Sequence, residues 1–539
     1  MIEHFWLIML GLSLLAGILS GIPVMLVLAG VPVVLAYIAS GFGAFDLSFL
    51  RAYPQRAYGV MTNSLLVAVP LFVLMGVMLE RSRVAERMLV QVGRVLGGTP
   101  RALALAVLLI STLIAASTGI IGATIVMLTL ISLPAMRRVG VPDATASGLI
   151  CASGTLGQII PPSIVLILLG DQVSNAYLDA QQRAGNFAPD AVTVGDLFAG
   201  ALVPGLLLVL LYGIYVSFRL SGIKSAPVVE TEPDVSAWEV VREVLPPVLL
   251  ILAVLGSILA GVATPTEAAA IGVAGTLLIT AARVSATGGP DVNPDAPPQL
   301  EPSTPPAPRW LRHVMSATAA VGFALVALRL TGVGRVDLSA AQVSLGAGSL
   351  LALLLTVLLV AGLLLAVVIL VRAGVFGAAL SQAVTTSAMI FGIILAASML
   401  SLVFRGFEGD EWVHDLLTGL PGDHTSMLIF TLLVIFAMGF VLEFVEIVFI
   451  VVPLVGPILL QDVDPVWFAV LVALNLQTSF LTPPFGFALF YYRSAAPADI
   501  ATSTIYKAIV PFVLIQILTL GIVFLWPTLA TWLPNVLFG

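Results

Sequence analysis

The sequence predicts an all-α polytopic membrane protein, and three observations carry that prediction. Charged residues make up only 9% of the chain while hydrophobic residues reach 60%, against about 25% charged in an ordinary soluble protein. Mean hydropathy is +1.13. Nine windows hold no Asp, Glu, Lys or Arg at all: 5–45, 102–136, 144–170, 197–218, 244–266, 338–371, 373–404, 466–492 and 508–539. A surface so poor in charge does not stay dispersed in water, so lipid is the solvent for most of the 539 residues. In hydrocarbon only helices and closed barrels satisfy their own backbones, and continuous apolar runs of this length fit helices.

A span needs about 20 residues to cross about 30 Å of hydrocarbon. Window 5–45 therefore holds two spans, broken near Gly21-Ile22-Pro23. A cleavable signal peptide does not fit, because its apolar region would stop after about 7–15 residues. Shorter apolar stretches near 60–80, 268–282, 315–330 and 425–460 bring the total to roughly 13 to 16 embedded segments. Arg81, Arg83, Arg87, Arg94 and Arg101 crowd one connection, Arg137 and Arg138 another, Arg219 and Lys224 a third. The positive-inside rule makes these cytoplasmic, so the acidic stretch 171–196, with Asp171, Asp179, Asp190 and Asp196, reads as external.

Residues 284–311, with Gly288-Gly289-Pro290 and a proline-rich run, have the composition of a linker. The chain thus divides into an N-terminal half (1–282), a linker with an additional apolar segment (283–345) and a C-terminal half (346–539). Segments 315–330 and 346–371 carry few polar groups and read as scaffold or lipid-facing helices. A net charge of −7 with only two lysines, Lys224 and Lys507, gives nucleic-acid binding no electrostatic basis. The single Cys151 excludes an internal disulfide, and His4, His313, His414 and His424 have no zinc spacing.

The most informative residues are the polar and helix-breaking ones inside apolar windows. Residues 139–163 read VGVPDATASGLICASGTLGQIIPPS and residues 462–486 read DVDPVWFAVLVALNLQTSFLTPPFG. Each has a turn proline (Pro142, Pro465), an apolar approach, a small polar cluster and a proline pair (Pro161-Pro162, Pro483-Pro484), with Pro134 and Pro453 closing the preceding helices. This is weak internal symmetry of the kind two structural repeats leave. Consecutive prolines remove donors and clash with the preceding turn, so they mark a helix break. Ser153, Gly154, Thr155 and Gln158 stand beside one break; Asn475, Gln477, Thr478, Ser479 and Thr482 stand beside the other. Hydroxyls, amides and freed carbonyls suit a desolvated Na⁺, and inward helix N-termini favour a carboxylate. The competing account is a pair of kinks packed through small residues.

Ser117-Thr118-Gly119 and Gly122-Ala123-Thr124 lie mid-window in 102–136, which has room for a helix, a break and a second helix. The corresponding place in the other half carries Glu443 and Glu446. A carboxylate in hydrocarbon is costly, so these acids face protein, water or a cation. A cation-linked role, a hydrogen bond to the scaffold and a span end all remain open for them. Thr264-Pro265-Thr266-Glu267 has a capping-box pattern and reads as a turn followed by a helix start.

Ser117-Thr118-Gly119, ASGTLGQIIPPS at 152–163, GVATPTEAAA at 261–270 and NLQTSFLTPPFG at 475–486 together resemble the large membrane subunit of tripartite ATP-independent periplasmic (TRAP) transporters, in the ion-transporter superfamily. The resemblance covers about 1–282 and 375–530. It implies two inverted repeats with re-entrant hairpins at about 144–170 and 466–492, in an elevator-type transport domain that moves against a scaffold. It further implies a Na⁺-driven carrier of the bacterial inner membrane. Its partners would be a separately encoded small four-helix membrane subunit and a periplasmic substrate-binding protein. Carried onto this chain, the substrate and Na⁺ region is bracketed by Ser117, Thr118, Gly119, Gly122, Ser153, Gly154, Thr155, Gly157, Pro161 and Pro162, and by Asn475, Thr478, Thr482, Pro483, Pro484 and Gly486; Glu443 and Glu446 join it as candidates. Individual ligands are not fixed. No cofactor is implied beyond Na⁺ as coupling ion.

The long 283–374 interval, FRGFEGDEWVHDLL at 404–417, the Glu443/Glu446 pair and the 475–497 stretch look like the branch labelled mannitol or chloroaromatic. Some members of that branch use 2-oxo acids or lactate. A 2-oxo or 2-hydroxy monocarboxylate is therefore the expected substrate, with a C4-dicarboxylate or another organic anion as the alternative. A passive channel is a distant rival. An intramembrane hydrolase built on Ser117 or Ser153 lacks a His or Lys base in either cluster, and no GxxxxGK[ST] sequence suggests ATP use.

Overall fold

A computed structural model of the chain describes residues 4–82, 84, 88, 92, 99–118, 121–223, 237–287, 309–330, 347–483 and 486–539. Among these every regular element is a helix. Helices α1 (Phe5–Leu19) and α2 (Val24–Gly41) divide the first window at Gly21, whose φ of 79° suits a residue without a side chain. A 3₁₀ turn over Leu47–Ala52, capped by Asp46, leads to α3 (Tyr53–Thr62) and α4 (Ala68–Arg81). The 102–136 window becomes two helices, α5 (Pro100–Thr118) and α6 (Ile121–Arg138). A hairpin follows, with limbs α7 (Asp143–Gly154) and α8 (Ile164–Arg183), and then the long α9 (Val194–Arg219), which starts at a Thr193/Asp196 capping box.

Helices α10 (Ala237–Leu259), α11 (Pro265–Thr287), α12 (Arg309–Leu330), α13 (Ala347–Arg372), α14 (Val375–Gly406) and α15 (Gly409–Thr418) come next. The first-half pattern then returns: a broken pair α16 (His424–Met438) and α17 (Phe444–Leu459), a hairpin α18 (Pro465–Leu481) and α19 (Phe487–Ala495), and the long α20 (Thr502–Leu525), closed by α21 (Thr528–Phe538). Seven described helices, α2, α6, α9, α11, α13, α14 and α20, are long and apolar enough to cross a bilayer. Shorter apolar helices, among them α16, α17 and α18, accompany them.

The helices gather into two compact units. The first comprises Met1–Val69, Val92–Asp234 and Thr385–Gly539, and so unites both hairpins. Within it the repeated elements pack crosswise. Limb α8 lies on α17, and α19 lies on α6; limb α7 packs on α20, and α18 packs on α9. Small residues permit this. A Cβ on Gly148 of α7 would stand 2.7 Å from the Phe512 ring of α20, and one on Gly200 of α9 would meet the Val466 side chain of α18. Without a hydrophobic drive between helices in lipid, such close van der Waals approach supplies much of the association. An ion-pair cluster ties the ends together: Arg137 pairs with Asp143 at 2.6 Å and with Asp499 at 3.0 Å.

The second unit comprises Pro70–Gln91 and Val235–Val384. Its α11 starts at the expected capping box: Glu267 Oε2 accepts the Thr264 N–H at 2.9 Å, and Thr264 Oγ1 accepts the Glu267 N–H at 3.3 Å. Arg81 donates to Gln382 at 2.8 Å, and Arg283 pairs with Glu243. Helix α13 exposes Leu350, Leu353, Leu354, Leu364 and Val371, as a lipid-facing helix should. Most of the linker, Lys224, Arg83, Arg87 and Arg94 lie outside the described residues.

Two expectations need correction. Pro134 and Pro453 do not close their helices; each lies inside one. Consecutive prolines do not always break a helix either, since Pro246 and Pro247 both sit inside α10. Neighbouring groups re-satisfy the freed backbone where packing is continuous. Asp171, the first residue of the stretch read as external, belongs to a helix. Helix α8 continues unbroken to Arg183, which leaves Asp171 only 8% exposed. It accepts hydrogen bonds from Asn63 Nδ2 and Gln172 Nε2, each at 2.8 Å. Asn63→Leu would leave this buried carboxylate short of a partner, at a cost of about 1–3 kcal/mol. A lower thermal unfolding midpoint in detergent is expected; an unchanged one would mean that Asp171 does not depend on Asn63.

Candidate functional site

Both proline-marked hairpins break at their tips, and helix α18 reaches the first break. Helix α7 ends at Gly154, tightens into a 3₁₀ turn over Thr155–Gln158 and passes through a cis Pro161-Pro162 bond before Ser163 starts α8. Helix α18 ends at Leu481; Thr482 and Pro483 follow, Pro484 lies outside the described residues, and Gly486 precedes α19. Gln477 Nε2 donates to Thr155 Oγ1 at 3.2 Å, which bridges residues 322 apart in sequence. Thr155, Gln158, Ser163, Gln477 and Ser479 are fully buried, with Thr478 and Asn475 nearly so.

The hydroxyls share one habit. Ser153 Oγ donates to the Leu149 carbonyl (2.6 Å), Thr155 Oγ1 to Ala152 (2.8 Å), Thr478 Oγ1 to Leu474 (2.9 Å) and Thr482 Oγ1 to Thr478 (2.7 Å). A hydroxyl that donates back to its own helix keeps its lone pairs free to accept. The amides leave more capacity unused: Gln158 Oε1 and Nε2 and Gln477 Oε1 have no partner. Asn475 Nδ2 is engaged with the Leu432 carbonyl of α16 at 2.6 Å. Each break also offers a helix C-terminus, with its freed carbonyls and negative dipole end, beside a helix N-terminus of opposite sign. Neutral oxygens for a cation and N–H groups for an anion thus lie together.

The remaining candidate residues surround this core. Ser117 and Thr118 end α5, with side chains outside the description, and Gly119 lies outside it altogether. Gly122 follows at the start of α6, where a Cβ would stand 2.7 Å from ring carbons of Tyr491 in α19; a Cβ on Gly157 would stand 3.0 Å from the Ala115 carbonyl of α5. Both positions therefore exclude a larger side chain. Gly154 packs against Ile125. Gly122 and Tyr491 also line a small cavity of about 100 Å³ with Ile164, Glu443, Phe480 and Phe487. Glu443 caps α17 and is half-buried, while Glu446, one turn in, is 2% exposed with Oε2 unpartnered. Among the described residues no group of three or more His, Cys, Asp or Glu gathers.

Residues 11–375 and 363–529 match the family model described as "Tripartite ATP-independent periplasmic transporter, DctM component". The chain belongs to that family. It is accordingly a transporter subunit and not an enzyme, and a multi-pass protein of the bacterial inner membrane. The C4-dicarboxylate TRAP transporter large permease protein of Vibrio cholerae serotype O1 is 26% identical over 95% of this chain and 96% of its own length. The protein of the same name from Rhodobacter capsulatus is 26% identical over 97% and 99%. Among solved structures, the YdaH transporter of Alcanivorax borkumensis shares the fold at TM-score 0.50 and 13% identity, covering 91% of this chain and 90% of its own.

Sequence reasoning did not find Tyr491, Asn63 or Asp171 as partners, and no local pattern announced them. In this TRAP component, Gly122→Val is expected to cost about 1–3 kcal/mol by overpacking against Tyr491. Tyr491→Ala should recover part of that loss in a double-mutant cycle read by thermal unfolding. Simple additivity of the two changes would show that the contact does not set the requirement for glycine.

Proposed function

We propose that this TRAP component is the Na⁺-coupled permease for a small organic anion, with a C4-dicarboxylate as the best-supported substrate. The observation that carries the proposal is the joining of the two broken hairpins through Gln477 and Thr155, beside unpartnered amide oxygens. Na⁺ would take hydroxyl, amide and C-terminal carbonyl oxygens; the anion would take the N-terminal ends of α8 and α19. Ser153, Thr155, Asn475, Thr478 and Thr482 are the proposed polar lining. Gly122, Gly154, Gly157 and Gly486 shape it, and Glu443 and Glu446 set its field. The monocarboxylate expectation yields to dicarboxylate because the two similar permeases are named for C4-dicarboxylates and match nearly end to end.

The same reading makes the halves 1–282 and 346–539 inverted repeats, each giving one hairpin to an elevator-type transport domain. The small membrane subunit and a periplasmic binding protein would complete the importer. Coupling then follows from charge. An anion entering beside Glu443 and Glu446 is disfavoured until a cation has bound, so each ligand raises the other's affinity.

Co-reconstitution of the three components in liposomes tests this. Labelled succinate should enter only down an inward Na⁺ gradient, faster than pyruvate or lactate. Thr155→Val and Gln477→Leu should each raise the half-saturating Na⁺ concentration at least about threefold, the equivalent of the ~0.6 kcal/mol typical of a hydrogen bond between membrane helices. Glu443→Gln or Glu446→Gln should also weaken the Na⁺ dependence. Equal succinate uptake without Na⁺ would overturn the coupling. Preference for pyruvate or lactate would restore the monocarboxylate reading.

A further inference from the structure

A second polar-ended site lies away from the hairpins. Helices α5 and α9 of the first unit leave between them a groove of about 610 Å³. Its floor contains the buried Leu108 and Val209, and its rim the exposed Leu109, Leu210 and Phe218. Gly213 contributes no side chain, and a Cβ there would stand 3.6–3.7 Å from Leu108 and Leu105, in ordinary contact. Gly213 thus faces Leu105 and Leu108 across the two antiparallel helices. One turn on from it, Arg101 of α5 and Ser217 of α9 share a level, with Ser221 beyond. The groove is therefore apolar along its length and cationic and hydroxylic at one end.

Its dimensions suit one leaflet. From Leu206 to Ser221 the groove follows α9 for about 22 Å at 1.5 Å per residue. Half of a bilayer that is about 40–45 Å thick with its headgroups is about the same. The polar end carries Arg101, and the exposed Arg219 lies near it in sequence; neither pairs with a described carboxylate. Both belong to the arginine-rich connections that the charge distribution assigns to the cytoplasm. Ordinary annular lipid meets only the outside of a helix bundle, whereas this groove has a buried floor and, at one end, an arginine that pairs with no carboxylate among the described residues.

We propose that the groove binds one anionic glycerophospholipid of the cytoplasmic leaflet. One acyl chain lies along the leucine wall between α5 and α9. The phosphate meets the Arg101 guanidinium and accepts hydrogen bonds from Ser217 and Ser221. Arg101 provides the preference for negative headgroups, since a basic group at the membrane surface attracts anionic lipid, and Gly213 provides the room.

The test is native mass spectrometry of the full-length chain, delipidated in detergent and titrated separately with dioleoylphosphatidylglycerol and dioleoylphosphatidylcholine. One phosphatidylglycerol should remain bound under activation that strips phosphatidylcholine. Arg101→Gln, at an exposed position, should lower phosphatidylglycerol retention about fivefold and leave phosphatidylcholine unchanged. Gly213→Leu should fill the groove and lower retention of both. Equal retention of the two lipids, or retention indifferent to Arg101→Gln, would overturn the proposal. So would a cross-link from Leu210→Cys to a protein helix, with loss of the phosphatidylglycerol adduct in the assembled transporter, because the groove would then be a subunit interface.

Discussion

Water is absent from the hydrocarbon core, so every backbone group freed by a broken helix must find its partner within the protein. The first unit is arranged around that constraint. Its two breaks, at Thr155–Pro162 and Thr482–Gly486, expose carbonyl and N–H groups where lipid offers nothing. The first is enclosed, since residues 143–171 are almost wholly buried; at the second, α18 is buried from Phe468 to Leu481 while Thr482 and Pro483 are half-buried. Side chains supply part of the satisfaction, as when Ser163 Oγ donates to the Gln158 carbonyl at 2.9 Å across the first break. Among the described side chains, Gln158 and Gln477 at this place keep amide atoms without a partner. Pro246 and Pro247 make the contrast plain. They too remove donors, yet α10 continues through them, with the Glu243–Arg283 ion pair one turn before them. A proline pair alone is a local disturbance; a proline pair with buried hydroxyls and amides is a place built to be open.

The crosswise packing gives the enclosure its form. Limb α7 rests on α20 from the second half, and α18 rests on α9 from the first. Limb α8 and helix α17 run in the same direction: Ile164 and Phe444 line the same cavity, and twelve residues on from each, Ala176 meets the Cβ position of Gly456. Neither half therefore encloses its hairpin alone. The glycines at 148, 200 and 456 let backbones approach to distances that no side chain would allow, and van der Waals contact at that range is what binds helices in lipid. Separating the hairpins would break all of these contacts together, so the two tips behave as parts of one body.

Much of this was legible in the sequence because it follows from what lipid forbids. Uncharged windows gave the helices, Gly21 the first turn, and Thr264 with Glu267 the start of α11. The paired motifs pointed to two breaks of one kind, and Gln477 does reach Thr155. Other features were not legible, since they depend on partners remote in sequence. The burial of Asp171 has no local signature; Asn63, more than a hundred residues earlier, donates one of the hydrogen bonds that meet it. Pro134 and Pro453 looked like helix ends because propensity treats proline locally, whereas packing carries α6 and α17 past them. The pairing of Gly122 with Tyr491 has no signature at either residue.

Electrostatics then limits how such a site can work. A helix N-terminus contributes the equivalent of about half a positive charge, so α8 and α19 together supply about one. A C4-dicarboxylate brings two negative charges, and Glu446 lies almost completely buried at the start of α17 with Glu443 one turn before it. Helix dipoles alone leave that balance negative, and an uncompensated charge in a desolvated site is costly. Arginine or lysine from the protein would remedy it permanently, but a permanent counter-charge would hold the anion in either gradient and couple nothing. Cations that come and go remedy it only when they are present. On the proposed reading, neutral hydroxyl and amide oxygens around the breaks would solvate Na⁺ without adding a fixed charge that would trap it. On this reasoning the neutral polar residues described at the hairpin tips and the unpartnered amide oxygens of Gln158 and Gln477 would be two aspects of one requirement: the proposed site is neutralised by its cargo.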